Sequence, residues 1–241
     1  MPDRNGGALV TGANRGVGRR LALLLAELGY DVAVNYRTKR EEAEQVAEEA
    51  RSHGVKAVAL QADVSDEAEA QRLVAQAADF AGGLAVLVNN VGNYHHGPLP
   101  ELTAARMQEM LNSNLMTTFH TCQAAIPLME RRGGGRIINL GYAGAEKILA
   151  RPGIVAYGIA KTGVILYSKS LAKVHAGSGI TVNVVSPGVL ENSETFPPMS
   201  EIPAGRSGTL DELAGAVRYL LSEEAAYING VTIEVAGGWN A

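Results

Sequence analysis

Cysteine is nearly absent from this chain, and so is any long apolar run. A single cysteine, Cys122, stands among 241 residues, which excludes an internal disulfide framework. No uninterrupted apolar stretch is long enough to span a bilayer, and the opening MPDRNGG carries no apolar signal core. The expected location is therefore the cytoplasm. Excess positive charge is missing too: 21 Lys and Arg face 25 Asp and Glu, a formal net charge of −4. No basic field is available for nucleic acid, so the expected partner is a small molecule, with neither nucleic acid nor membrane. The acidic stretch REEAEQVAEEA reads as the solvated face of a helix. Repeats, low-complexity segments and domain linkers are lacking as well. No acid or cysteine accompanies the adjacent histidines His95 and His96 to suggest a metal site.

What is present is a regular alternation. With 46% hydrophobic residues, the chain has enough apolar matter for one large domain spanning 1–241. Short apolar, β-rich runs occupy Ala8–Thr11, Asp31–Asn35, Ala57–Gln61, Ala85–Asn89, Arg136–Leu140, Thr181–Ser186 and Val231–Val235. Their continuous apolar character is that of strands covered on both faces. Helical patterns lie between them near 16–28, 39–52, 66–80, 103–131, 155–176 and 209–221, the last opened by a capping box of Thr209 and Glu212. Such alternation predicts an α/β fold, a doubly wound seven-stranded parallel sheet with right-handed crossovers. Ligands on these sheets bind beyond the carboxyl ends of the strands. The irregular stretch 190–208, with Pro197, Pro198, Pro203 and Gly205, reads as a lid or binding loop.

The first strand runs into TGANRGVG, residues 11–18, with a helix after it. Glycines there let the backbone turn and approach a phosphate, and the helix N-terminus offers N–H groups and positive potential. Position between first strand and first helix makes this a nucleotide site. The second strand ends in Asn35-Tyr36-Arg37. An acid near that point would hold a ribose 2′-hydroxyl and repel a 2′-phosphate. Here the acid is missing and Arg37 follows, with Arg15 in the glycine loop as a second guanidinium suited to bidentate phosphate contact. The pair predicts NADPH in preference to NADH.

Tyr157 and Lys161 lie four residues apart in AYGIAKTG, one turn apart on one helix face. A phenol with an ordinary pKa near 10 is a poor acid–base group at neutral pH. An ammonium about 4–5 Å away in a shielded site would stabilise the phenolate by roughly 3 kcal/mol, about two pKa units. The pair follows the fifth strand, on the ligand edge of the sheet.

Taken in order, TGANRGVG, DV, NNVG, NSNL, YGIAK and SPG resemble the short-chain dehydrogenase/reductases over nearly the whole chain. The nearest likeness is to the β-ketoacyl-acyl-carrier-protein reductase and glucose dehydrogenase branch. The resemblance implies hydride transfer from a nicotinamide to a carbonyl, with Tyr157 as proton donor, Lys161 as its activator and Asn114 holding a water in a proton relay. It assigns cofactor contacts to Gly12, Asn14, Arg15, Gly16, Val17 and Gly18 in the glycine loop. Further contacts fall to Tyr36, Arg37, Asp63, Val64, Asn90 and Gly92, to Tyr157 and Lys161 themselves, and to Pro187, Gly188 and Asn192. Asn192 stands where the family has a threonine on the nicotinamide carboxamide, and an amide can make the same bond. Val91 replaces the family's usual alanine and should crowd the cofactor slightly. A homotetramer (or dimer), built partly through the helices at 103–131 and 155–176, is also implied.

One family residue is missing. The family's catalytic serine falls at Tyr142, and residues 140–156, LGYAGAEKILARPGIVA, contain no Ser or Thr at all. Tyr142 could supply the replacement hydroxyl, or Tyr94, His95 or His96 in the loop after the fourth strand could, or the polarising contact could be gone. The preferred expectation is that Tyr142 forms a wall and the 94–96 loop polarises the substrate. Glu146 and Lys147 read as surface charges. The expected activity is NADPH-dependent reduction of a ketone on a small or cyclic substrate, the pocket being narrowed by Tyr142 and rimmed by Tyr94, Phe196 and Met199. The alternatives are reduction of a C=N or conjugated C=C bond, and a non-catalytic NADPH-binding protein.

Overall fold

The computed structural model describes residues 6–193 and 196–239. Glu194 and Thr195, within the expected lid, lie outside the described residues. Seven parallel strands form one sheet in the order β3-β2-β1-β4-β5-β6-β7. They are β1 Gly7–Val10, β2 Val32–Tyr36, β3 Ala57–Gln61, β4 Leu84–Asn89, β5 Gly135–Leu140, β6 Ile180–Pro187 and β7 Thr232–Val235. The helices are α1 Gly16–Glu27, α2 Arg40–Arg51, α3 Glu67–Ala81, α4 Ala104–Met110, α5 Thr117–Arg131, α6 Val155–His175 and α7 Leu210–Leu220.

Side chains alternating across each strand supply the two cores. Val10 joins Leu21 and Leu24 of α1, Val46 of α2, and Leu213 and Val217 of α7 on one face. Leu9 joins Leu73 and Val74 of α3, Cys122 and Met129 of α5, and Leu171 of α6 on the other. Coverage on both faces holds for the central strands, whereas β3 and β7, at the sheet's edges, are partly exposed. Local signals set the helix ends. Asp66 caps α3 by accepting from the Glu69 N–H, and α3 stops at Gly82 in the left-handed conformation. The capping box of Thr209 and Glu212 opens α7.

The sequence pattern over 103–131 predicts one helix, but the structure has α4, a wider turn over Leu111–Met116 with π-type hydrogen bonding, and α5. The wider turn admits the Asn114 side chain, whose Nδ2 donates to the Met110 and Asn93 carbonyls, each at 3.0 Å. One extra residue in a turn barely disturbs an apolar period, so it leaves no mark in the pattern. Strand order reverses between β1 and β4, and the crevice opened there receives TGANRGVG from one side and NNVG from the other.

Candidate functional site

The glycine loop is shaped by contacts that exclude side chains. A Cβ on Gly18 would stand 2.4 Å from the Gly12 carbonyl oxygen, and Gly12 and Gly16 adopt φ values of 59° and 54°. Asn35 Oδ1 accepts the Gly12 N–H at 3.1 Å, and Asn90 Nδ2 donates to the carbonyls of Thr11 and Gly12, both at 3.0 Å. Thr11 Oγ1 in turn accepts the Asn90 and Val91 N–H groups. Asn14 donates to Glu42 at 2.7 Å, which ties the loop to α2. Arg15 occupies the N-cap of α1 without capping it, and the first turn holds no acid. The leading N–H groups of α1, beginning near Val17, thus have no side-chain acceptor from the cap, an arrangement that fits a diphosphate.

Around this cradle the expected contacts take different places. The Tyr36 ring is buried in the core at 5% exposure, and Val64 is buried as well, so their side chains pack the protein interior. Arg37 lies at the rim, 3.5 Å from the Asp63 carboxylate. Burial would raise the Asp63 pKa, but donors from Ser65 and the Arg37 charge outweigh it and hold the group below its ordinary value. Val91 packs on the loop, its Cγ2 2.9 Å from where a Gly12 Cβ would stand. The Asn192 amide lies over Gly16, 2.7 Å from an added Cβ. Pro187 ends β6, and Gly188 abuts Ala236 so closely that a Cβ would come within 2.8 Å of its Cα.

A second group gathers beside the cradle, at the carboxyl ends of β4 and β5. Tyr157 and Lys161 sit in the first turns of α6. Lys161 is buried, and its Nζ donates to the Leu140 carbonyl at 2.8 Å and lies 5.8 Å from the Tyr157 ring centroid. Asn114 is fully buried, and its Oδ1 has no hydrogen-bond partner among the described residues. A Cβ on Gly92 would fall 2.3 Å from that Oδ1 and 3.3 Å from Lys161 Nζ. Gly92 therefore leaves open one point on which an acceptor and a donor converge.

The electrostatics reverse one expectation. Lys161 was to pull the Tyr157 pKa down. Burial instead pushes the phenol above its ordinary range, with the nearby Tyr142 and Tyr94 adding to the effect. Burial also lowers the Lys161 pKa to about 8. Burial dominates, and Lys161, bonded to the Leu140 carbonyl and 5.8 Å from the ring centroid, does not outweigh it.

The residues weighed for the missing hydroxyl fall into two groups, the tyrosines and the histidines. Tyr142 and Tyr94 both meet Tyr157 edge to face, at centroid distances of 5.4 and 5.1 Å. His95 lies beside Gly97, and the His96 ring rests on Gly153, 2.7 Å from an added Cβ. The Gly97 N–H donates to the Gly153 carbonyl and fixes this loop to the segment before α6. Periodicity does not reveal Arg151, whose Nη1 donates to the Tyr142 hydroxyl at 2.7 Å. Glu146 lies at the surface as expected and pairs there with Lys169 at 2.5 Å. Beneath the site runs a buried polar chain that apolar patterning also hides. In it Thr121 donates to Asn89, Asn89 to Asn139, and Asn139 to Ser168.

A family model described as enoyl-(acyl carrier protein) reductase matches residues 12–240. Among curated proteins the chain is similar to the 3-oxoacyl-(acyl-carrier-protein) reductase FabG of Staphylococcus aureus, 40% identical over 239 residues and covering 96% of each chain. It is also similar to the 3-oxoacyl-(acyl-carrier-protein) reductase of Synechocystis, 38% identical over 237 residues, 96% of this chain and 95% of that protein. Among solved structures, a short-chain dehydrogenase from Burkholderia cenocepacia in complex with NADP superposes with a TM-score of 0.91 at 32% identity, over 99% of this chain and 100% of that one.

Proposed function

This chain belongs to the short-chain dehydrogenase/reductase family of NAD(P)H-dependent oxidoreductases, and we propose that it reduces a ketone with NADPH, Tyr157 donating the proton. The observation that carries the reading is the convergence of Tyr157, Lys161 and Asn114 beside the glycine cradle. The nicotinamide, when bound, supplies the hydride. The α1 N-terminus and the Gly12–Gly18 loop would hold the diphosphate, and Arg37 and Arg15 would be the guanidiniums available to a 2′-phosphate. That a relative of 32% identity was solved with NADP supports this cofactor. Tyr157, protonated at neutral pH and with its pKa raised further by burial, passes that proton to the carbonyl oxygen as the carbon is reduced. Lys161 faces the resulting phenolate, and Asn114 Oδ1 positions a water from which the proton is restored.

The rings of Tyr94 and Tyr142 against Tyr157 favour a small or cyclic ketone, and the two reductase relatives favour a β-keto group. The absence of Ser and Thr from 140–156 favours a second reading, reduction of a C=N or conjugated C=C bond. Steady-state assays with NADPH on β-keto esters, an acetoacetyl thioester, cyclic ketones, imines and enones discriminate the two. Ketones should be the best substrates, and Tyr157→Phe should abolish most turnover while circular dichroism stays unchanged. Near-native rates in that variant would remove Tyr157 from the mechanism. Tight NADPH binding with no turnover on any compound would make the chain a binding protein.

A further inference from the structure

Where the family has a serine hydroxyl, the geometry points to a two-residue device, in which Arg151 positions the Tyr142 hydroxyl to hydrogen-bond the substrate carbonyl that Tyr157 protonates. The assignment rests on the ketone-reductase reading above. Three observations carry it. The Tyr142 ring packs on Ala145, Ile165 and Val184, which hold it at the end of β5. It meets the Tyr157 ring edge to face at 5.4 Å, which sets the two phenols side by side. The Arg151 guanidinium donates to the Tyr142 oxygen at 2.7 Å, with its central carbon 5.5 Å from the ring centroid.

The chemistry follows from the donor inventory. A tyrosine oxygen can accept and donate, whereas a guanidinium can only donate. With Arg151 donating, the O–H of Tyr142 must point away from Arg151. A hydrogen bond received from a charged donor also polarises that O–H and strengthens it as a donor in turn. Serine needs no such help, because its short side chain is aimed by the backbone. A phenolic O–H has two in-plane orientations, and Arg151 selects the one that points away from itself. The segment between Tyr142 and α6 brings Arg151 back nine residues later to do so. The histidines that could have competed lie against Gly97 and Gly153 instead.

The test measures reduction of ethyl acetoacetate by NADPH in Tyr142→Phe, Arg151→Gln, Arg151→Lys and the Tyr142→Phe/Arg151→Gln double variant. Loss of one such donor should lower kcat about a hundredfold in Tyr142→Phe, with NADPH affinity unchanged. Arg151→Gln should lower kcat, not merely raise KM, and Arg151→Lys should restore part of it. The double variant should be no slower than Tyr142→Phe, because both changes remove one device. A second measurement reads the contact without turnover: the infrared carbonyl stretch of ethyl acetoacetate bound beside NADP+ should lie lower in the unmodified protein than in Tyr142→Phe. Unchanged kcat in Tyr142→Phe, additive losses in the double variant, or identical carbonyl stretches would overturn the device while leaving the ketone reductase standing. A protein that neither binds nor reduces the ester overturns both.

Discussion

Lys161 is the residue whose behaviour turns on protonation. Its amine is buried with a carbonyl as its bonding partner, and burial brings its pKa down to about 8. The sign is that of a base whose charged form is disfavoured: the ammonium is present below that value and lost as pH rises through it. Tyr157, pushed above its ordinary range, keeps its proton across the same interval. Ketone reduction should therefore be level below pH 8 and fall up to tenfold per unit above it. A profile of kcat/KM for NADPH-dependent reduction that stays level to pH 10 would contradict this assignment. Arg37 gives the second residue-scale prediction. Its side chain is 65% exposed and shares Asp63, so Arg37→Asp would place two acids at the rim. Titrations followed by cofactor fluorescence should then show the NADPH preference erased or reversed; equal affinity for both cofactors in the unmodified protein would sink the idea.

At the scale of elements, α6 carries Tyr157 and Lys161 and is pinned to β5 by Asn139, whose Nδ2 donates to Ser168 at 2.8 Å while Ser168 donates to the Val164 carbonyl. Ser168→Ala removes the acceptor and strands a buried amide, which should cost about 1–3 kcal/mol in urea unfolding. A change under a few tenths of a kcal/mol would show that the polar chain merely fills space. The ease with which these elements were read from sequence varies for physical reasons. Central strands buried on both faces must be continuously apolar, Gly12 is required by its left-handed φ and Gly18 by a close backbone approach, so both patterns are legible. Asn114, Tyr157 and Lys161 were legible through motif order. The π-type turn around Asn114 was not, because it adds one residue without moving the apolar stripe. Nor was Arg151, because a loop contact nine residues long has no period. The lowered Tyr157 pKa was expected from spacing alone, and only the depth of burial reverses it.

For the molecule as a whole, the question is what the outer face of α6 does. Ile159, Leu166 and Val174 are 49%, 67% and 74% exposed in the single chain. Spaced seven and eight residues apart, they form one stripe about 22 Å long. Scattered exposed apolar residues are ordinary, but a stripe along one helix marks a surface that another chain covers. With Phe119 and Tyr167 packed together at 5.5 Å on neighbouring α5 and α6, the two helices offer a continuous face. A helix face that meets its own copy across a two-fold axis is self-complementary by symmetry, and a second such axis gives a tetramer. We therefore predict a homotetramer in light scattering at micromolar concentration. Leu166→Glu, which brings like charges together across the axis, should divide it into smaller species. Tyr157 and Lys161 lie on the same helix, so dissociation should also lower turnover, whereas the glycine cradle on α1 should bind NADPH as before. A stable, fully active monomer would contradict the assignment, because the stripe would then have stayed in water at no cost to the site it borders.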